Sequence, residues 1–338
     1  MNKIKSVVSG ITPSGHALHI GNYFGAVKPQ FDLQEQGVIC YYFVADLHAL
    51  TTVQDKKVLE ANIVNNILDY IALGLDPEKT IYFRQSDVPE HSQLAIILAN
   101  YVSLALTKRM HAFKDKLAKG ASQETINMGL FNYPILMAAD ILLYMPYGVP
   151  VGEDQRQHVE FARNVAKGFN KVHGNTFPLP KPLISKSVSG KVIGTDGVRK
   201  MSKNLGNHIS IFDSEQVIEQ QIMNCYTDPN RIRSTDPGKV EENPVFIYHD
   251  LMNGNKAEVI DLKKRYREGK VGDVDVKEKL FEAHMKLFGP ARKRRQELEK
   301  AFDEVKKILA DGAKKAQKTA SHTLAQVHKT IGITNKLN

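Results

Sequence analysis

Strand-type and helix-type patterns alternate along the first half of the chain, and this alternation restricts the fold more than any other feature. A short apolar run, Val7-Val8, ends a first strand, and Val38 to Ala45 (VICYYFVA) is dense in β-branched and aromatic residues. Thr80 to Phe83 and Gly148 to Val151 are shorter runs of the same kind. Between and after them lie segments with helical apolar spacing. One runs to Gln36, and one from Lys56 to Leu73 closes on Gly74. A third, from Ser92 to Met145, is interrupted by a Lys- and Gly-bearing connection at Lys114 to Ser122, and a fourth covers about Asp154 to Val172. Strands separated by helices pair in parallel and carry helices on both faces. The reading is therefore α/β, with the long helical stretch as an insertion in a parallel sheet.

Further along, the pattern changes. Thr176 to Pro182 (TFPLPKP) reads as a proline-punctuated connector, Leu183 to Ile193 as a strand pair, and Thr195 to Asn207 as a polar loop. Beyond it only helices are expected: Ser214 to Cys225, Pro244 to Met252, Lys256 to Arg267, and a basic series from Val276 onward. The boundary is placed at Asn207. That gives residues 1–206 as one domain, with its insertion at about 84–145, and residues 207–338 as an all-α domain.

A chain of 338 residues with 42% apolar content can bury a sizeable core in two domains. Its two cysteines, Cys40 and Cys225, are far apart and lack metal-like spacing, which fits a reducing compartment and buried thiols. No apolar signal segment opens the sequence and no run is long enough to span a membrane, so a cytoplasmic protein without a membrane partner is expected. The net charge of +9 is concentrated late. From Asp275 to Asn338 there are 15 Lys and Arg against 8 Asp and Glu. Such an excess points to a polyanion, nucleic acid before membrane, although a solvated lysine-rich surface would read the same way.

Four clusters carry possible chemistry. Gly10-Ile-Thr-Pro-Ser-Gly-His-Ala-Leu-His-Ile-Gly-Asn-Tyr23 turns from a strand into a helix, which aims backbone N–H groups and a helix dipole at a phosphate; an ordinary loop is the alternative. Arg199-Lys-Met-Ser-Lys-Asn204 sets two lysines in a glycine-flanked loop, suited to a polyphosphate or simply exposed. Gly152-Glu-Asp-Gln155 stands between a short strand and a helix. Asn132-Tyr-Pro-Ile-Leu-Met-Ala-Ala-Asp-Ile141 puts Asp140 on an otherwise apolar helix, with Tyr133 and Met137 on its face. A carboxylate there needs a partner, either a structural cation or a ligand's hydrogen-bond donor.

In this order, the clusters resemble the class I aminoacyl-tRNA synthetases, whose "HIGH" and "KMSKS" elements His19-Ile-Gly-Asn22 and Lys200 to Asn204 match. Pro13-Ser-Gly15, Tyr133 to Asp140 with the following ILLY, and Val149 to Gln155 look specifically like the tryptophanyl branch. The resemblance covers nearly the whole chain. It implies a Rossmann-like catalytic fold, activation of L-tryptophan with ATP and Mg²⁺, transfer of the product to tRNA, and a homodimer.

It also implies roles, residue by residue. Thr12, Pro13, Ser14, Gly21 and Asn22 would meet ATP, with Gly152, Glu153 and Asp154 on the adenosine side and Val192 near adenine. Lys200, Met201, Ser202, Lys203 and Asn204 would form the pyrophosphate clamp, and Lys116 would reach in from the insertion. Lys200, Lys203, His19 and Asn22 would be catalytic, and no metal would be held by the chain itself. Asp140 would accept the indole N–H, Tyr133, Met137, Ile141, Val149 and Val151 would wall the ring, and Gln155 would lie near the amino acid's polar end. The basic helical part would read the anticodon, with Arg292-Lys-Arg-Arg295 its densest cluster. Five departures stand out: Asn204 for the last Ser, Thr12 where the branch commonly has Gln, one extra residue before His19, His19 itself where the branch often has Thr, and Asn22 for the second His. Two rivals follow from the same motifs, the tyrosyl branch and a non-catalytic RNA-binding relative; a small-molecule nucleotidyltransferase is more distant.

Overall fold

The computed structural model of the chain describes residues 5–333, apart from 14, 16–17, 119, 121, 123–125, 185–191 and 230; the side chains of Ala112 and Asp154 also fall outside the description. Five strands form one sheet: β1 (Ser6–Ile11), β2 (Ile39–Val44), β3 (Thr80–Arg84), β4 (Gly148–Pro150) and β5 (Lys181–Leu183). All pairings are parallel, in the order β3-β2-β1-β4-β5. Val7 stands opposite Cys40 on one side and Gly148 on the other. The order therefore reverses at β1, and a crevice opens beyond the carboxyl ends of β1 and β4, where open α/β sheets bind ligands.

Strand alternation divides the core in two. Val7, Cys40, Tyr42 and Val44 pack on one face, and Val8, Tyr41, Phe43 and Phe83 on the other. Gly10 has to be glycine, because a Cβ there would stand 2.6 Å from the Phe43 ring. The sequence pattern missed β5. Its central residue, Pro182, has no N–H to give, yet it is tolerated because β5 is an edge strand. The expected strand pair is not what the described residues form: Leu183 ends β5, Ile193 makes an isolated antiparallel bridge to Lys200, and 185–191 lie outside the description.

The insertion comprises helices Glu90–Ala99, Leu104–Lys108, His111–Ala118 and Met128–Leu142. After residue 207 come Glu215–Met223, Pro244–Met252, Lys256–Arg267, Asp273–Lys300 and Phe302–Ile331. The last of these returns to the sheet. Gly312, Ala316 and Ala320 are buried, and a Cβ at Gly312 would meet the Tyr82 carbonyl oxygen at 1.8 Å. Tyr41 Oη and Thr319 Oγ1 lie 3.1 Å apart on the same contact. Both halves of the core thus include residues from beyond 207, such as Phe246 on one face and Leu324 on the other.

One expectation from charge is corrected. Two members of the cluster Arg292 to Arg295 turn inward, while Lys293 stays exposed. Arg292 donates to the carbonyls of Ile211 and Asp213, both at 2.7 Å, and Arg295 reaches inward to the buried Asp69. Arg294 pairs with Glu304. Residue composition records how many arginines a helix has but not which way they turn. Cys40 and Cys225 are both free and buried, as expected. Among the described residues no helix is long and apolar enough to cross a membrane.

Candidate functional site

Two cavities open side by side at the crevice and share Ile11 and Thr12. The first has a volume of about 290 Å³. The chain leaving β1 supplies Gly10 to Thr12, and β4 with its following turn supplies Val149, Val151, Gly152 and Gln155. Helix Met128–Leu142 contributes Tyr133, Met137, Asp140 and Ile141, whose spacing places them along one face. His48 enters from the short helix Asp46–Ala49 that follows β2.

Asp140 is the carboxylate of this cavity, which Ser9, Thr12, Gln30, His48 and Gln155 also line, and it is only 3% exposed. Burial pushes its carboxyl up, but hydrogen bonds from His48 and His91 outweigh that and hold it down, at about 2. It is therefore a carboxylate and can only accept. His48 Nε2 donates to Oδ2 at 2.7 Å, while His91 Nδ1 and Gln85 Nε2 donate to Oδ1 at 2.6 and 2.7 Å. The other ring nitrogen of His91, Nε2, lies 2.8 Å from Tyr144 Oη. Two donors crowd Oδ1 and one meets Oδ2, so Oδ2 keeps a lone pair for a further donor. Tyr133 presents its ring to the cavity and its hydroxyl to His158 at 2.8 Å.

The second cavity, about 230 Å³, is polar and is lined by Thr12, Gly15, His19, Asn22, Asn66, Asp69, Ser202, Lys203 and Asn204, among others. His19 caps the short helix Ile20–Asn22. Its Nδ1 accepts from the Asn22 N–H at 3.3 Å, and Asn22 Oδ1 accepts from the His19 N–H at 3.2 Å. Burial first, then the nearby His208, Lys203 and Lys200, push the His19 imidazole down to about 3. The ring is neutral at physiological pH, and because Nδ1 accepts, its proton sits on Nε2. A neutral N–H donor therefore stands at the start of a helix, beside two lysines.

The two signature segments touch at Gly21. A Cβ there would lie 3.0 Å from the His19 ring and 3.2 Å from Met201 Sδ, so any other residue would push one of them back by a few tenths of an ångström. The lysine loop is clamped from within. Asn207 Oδ1 accepts from the Ser202 N–H at 2.8 Å, and its Nδ2 donates to Asp196 at 2.9 Å and to the Lys200 carbonyl at 3.3 Å. Burial pushes the Lys203 ammonium down from its ordinary value, while Asp213 and Asp69 oppose that shift.

Of the residues singled out in sequence, Tyr133, Met137, Asp140, Ile141, Val149, Val151, Gly152 and Gln155 line the first cavity, and His19, Asn22, Ser202, Lys203 and Asn204 the second, with Thr12 in both. Others stand apart. Glu153 is exposed and paired with Arg156 at 2.6 Å, and Pro13 is buried without lining either cavity. Val192 is buried and accepts from the Met201 N–H at 3.0 Å. Lys116 and Lys200 are exposed and line neither cavity. Ser14 and the Asp154 side chain lie outside the described residues. His48, Gln85, His91, Asp69, His208 and Asn207 carry no signal in the sequence: all but Asn207 act on distant segments, and a lone polar residue makes no local pattern. Among the described residues no group of three or more His, Cys, Asp or Glu side chains is placed to hold a metal ion.

A family model described as tRNA synthetases class I (W and Y) matches residues 2–289. The tryptophan–tRNA ligase of Rhodopirellula baltica is 44% identical over 327 residues, covering 97% of this chain and 99% of the relative. That of Borreliella burgdorferi is 42% identical over 341 residues, covering 99% and 96%. A crystal structure of tryptophanyl-tRNA synthetase from Campylobacter jejuni, complexed with ADP and tryptophan, superposes with a TM-score of 0.88 at 40% identity, over 97% of this chain and 99% of that one.

Proposed function

The chain belongs to the class I tRNA synthetases of the tryptophan and tyrosine group, and from that premise we propose that it activates L-tryptophan with ATP and transfers it to its tRNA. The observation that carries the reading is the pairing of cavities: an apolar slot with one ionised carboxylate opens directly onto a polar cavity bearing a lysine and a helix start. The slot suits an aromatic ring with a donor at its edge. The polar cavity suits phosphates.

The chemistry follows from the substrates. An amino acid's carboxylate is ionised at neutral pH, having a pKa of roughly 3.5 or below, so its attack on the α-phosphorus needs no general base. A carboxylate oxygen forms a bond to phosphorus as the bond to the bridging oxygen of pyrophosphate breaks, and negative charge moves onto the leaving group. The chain has to align the two substrates and stabilise that charge. Lys203 and the Nε2–H of His19 are the donors for that role, since the N–H groups of Ile20, Asn22 and Tyr23 at the helix start already donate to Ile209 and His19. Gly152 and Gln155 line the first cavity, where Gln155 would meet the amino acid's polar end, and Asp140 Oδ2 would accept the indole N–H. Mg²⁺ would arrive on the nucleotide, held by phosphates and water. The neutral oxygens of Thr12, Asn22 and Ser202 fit that arrangement, since Mg²⁺ on nucleotides seldom uses an all-protein cage. The adenylate would then pass to a ribose hydroxyl at the end of the tRNA.

For the tRNA, the last helix is a better surface than the arginine cluster. Residues 312–333 contain no acidic side chain, and Lys314, Lys315, Lys318 and Lys329 are exposed there. Exchange of pyrophosphate into ATP, run with each amino acid in turn, is the decisive assay. Tryptophan alone should support it, with tyrosine the discriminating control; tyrosine-dependent exchange would transfer the chain to the other branch. Charging of tRNA should weaken with salt with a log–log slope of about −3 if four lysines meet phosphates. A flat salt response would remove the helix from the interface.

A homodimer is supported by apolar side chains left in solvent on the insertion. Ile96 is 73%, Leu104 61% and Met128 66% exposed. Sedimentation equilibrium should give twice the chain mass, and Ile96→Asp should return it to a monomer; a monomeric parent chain would overturn the assignment. The two free, buried cysteines fit residence in the cytoplasm.

A further inference from the structure

The polar cavity contains an apparent contradiction. Asp69, at 0% exposure, lines it, yet a buried carboxylate repels the phosphates proposed to bind there. The contradiction dissolves once its partners are traced. Oδ2 accepts from the backbone N–H of Leu18 at 3.0 Å, and Oδ1 accepts from Arg295 Nε at 2.7 Å. Arg295 donates again to Asn65 at 2.7 Å and pairs with Glu299 on its own helix. One acid thus joins three distant segments: the turn that ends at His19, the helix Lys56–Ala72, and the helix Asp273–Lys300.

Resting on the function proposed above, we infer that the Asp69–Arg295 pair is a positioning device that sets the His19 turn for the ATP step from the helical half of the molecule. Leu18 is the residue immediately before the cap. Fixing its amide fixes the entry to the His19–Asn22 capping box, and through that box the direction of the imidazole N–H. Asp69 also acts on the second signature segment, because its charge helps hold a proton on the half-buried Lys203. Arg295 occupies Oδ1 and the Leu18 N–H occupies Oδ2, so Lys203 feels the charge without a direct ion pair and remains available to a phosphate. Arg295 lines neither cavity, yet its loss should be felt at the reacting phosphate.

The test is steady-state pyrophosphate exchange on the full chain, with Asp69→Asn, Arg295→Gln and the double variant, run well below each protein's unfolding midpoint. Each single variant should lower kcat for exchange by about tenfold or more, the scale on which sub-ångström misplacement of a reacting group acts. KM for tryptophan should not move, since the first cavity is untouched. The double variant should be no slower than the slower single, because both break one link. Independent, multiplying losses would overturn the inference. So would variants that melt earlier but keep parental kcat, which would mark the pair as structural only. Arg295→Gln, whose site is partly solvated, guards against a failure of Asp69→Asn to fold. A parent chain that shows no tryptophan-dependent exchange would instead remove the proposed function, and the two failures are therefore distinct.

Discussion

Replacing Asp140 with asparagine is expected to abolish tryptophan-dependent exchange while leaving ATP binding intact. A site built to accept a hydrogen bond from its substrate discriminates by ~10⁴ when the match is lost, and a comparable fall in kcat/KM is expected here. The reason lies in how the carboxylate is held. His48, Gln85 and His91 all donate to it, so an amide at this position must turn its NH₂ toward at least one donor. If the NH₂ faces Oδ2's side, it opposes both His48 and an incoming indole N–H. If it faces the other side, it opposes His91 and Gln85 inside the core. Either arrangement leaves buried donors unmatched, at about 1–3 kcal/mol each, so the thermal midpoint should fall as well. Nucleotide affinity, measured by calorimetry on the folded variant, separates the two effects: the second cavity shares no contact with Asp140. Parental exchange in this variant would exclude the carboxylate from amino-acid recognition.

The pH response follows with a definite sign. Asp140 is depressed to about 2 in the folded chain, below an unfolded value of about 3.9. Its contribution to stability is therefore complete above the unfolded value and lost only as pH falls through the folded one. Tryptophan binding should show no acidic limb from this group anywhere between mildly acid and neutral pH.

How much of this was legible in the sequence depends on the range over which each signal acts. The sheet, the insertion and the two signature turns were visible because each is a local pattern of a few consecutive residues, and the lining residues of helix Met128–Leu142 followed from helical spacing alone. The holders of Asp140 were not. His48, Gln85 and His91 come from the turn after β2, the turn after β3 and the next helix, and only the parallel register of β2 and β3 brings the first two level. Asn207 is a local case: its side chain ties Ser202, Lys200 and Asp196 of its own loop, but a single Asn in a polar stretch carries no pattern that says so. The arginine cluster misled for the opposite reason: a dense charge run looks like a surface, whereas two of its members saturate carbonyls and a buried acid that belong to other parts of the chain.

The second large effect concerns Lys203. Lys203→Ala should slow adenylate formation by about 10²–10³, the usual consequence of removing one donor aimed at developing charge, with tryptophan affinity unchanged. The residue is suited to this because its resting partners are weak. It is half-buried, it lines the polar cavity, and the charges of Asp69 and Asp213 sustain its proton without a direct ion pair to either among the described contacts. A lysine so placed keeps its charge for a ligand. The neutral His19 alongside does not compete for anions as a second cation would, and it supplies a directed N–H instead. The chain contains no tryptophan, so the substrate is the only indole in the system and its own fluorescence reports binding directly. In single-turnover mixing, the amplitude of the binding phase should match that of the parent chain while the chemical phase slows. If tryptophan affinity collapsed and the chemical rate held, Lys203 would belong to amino-acid binding, and charge stabilisation on pyrophosphate would rest on other groups.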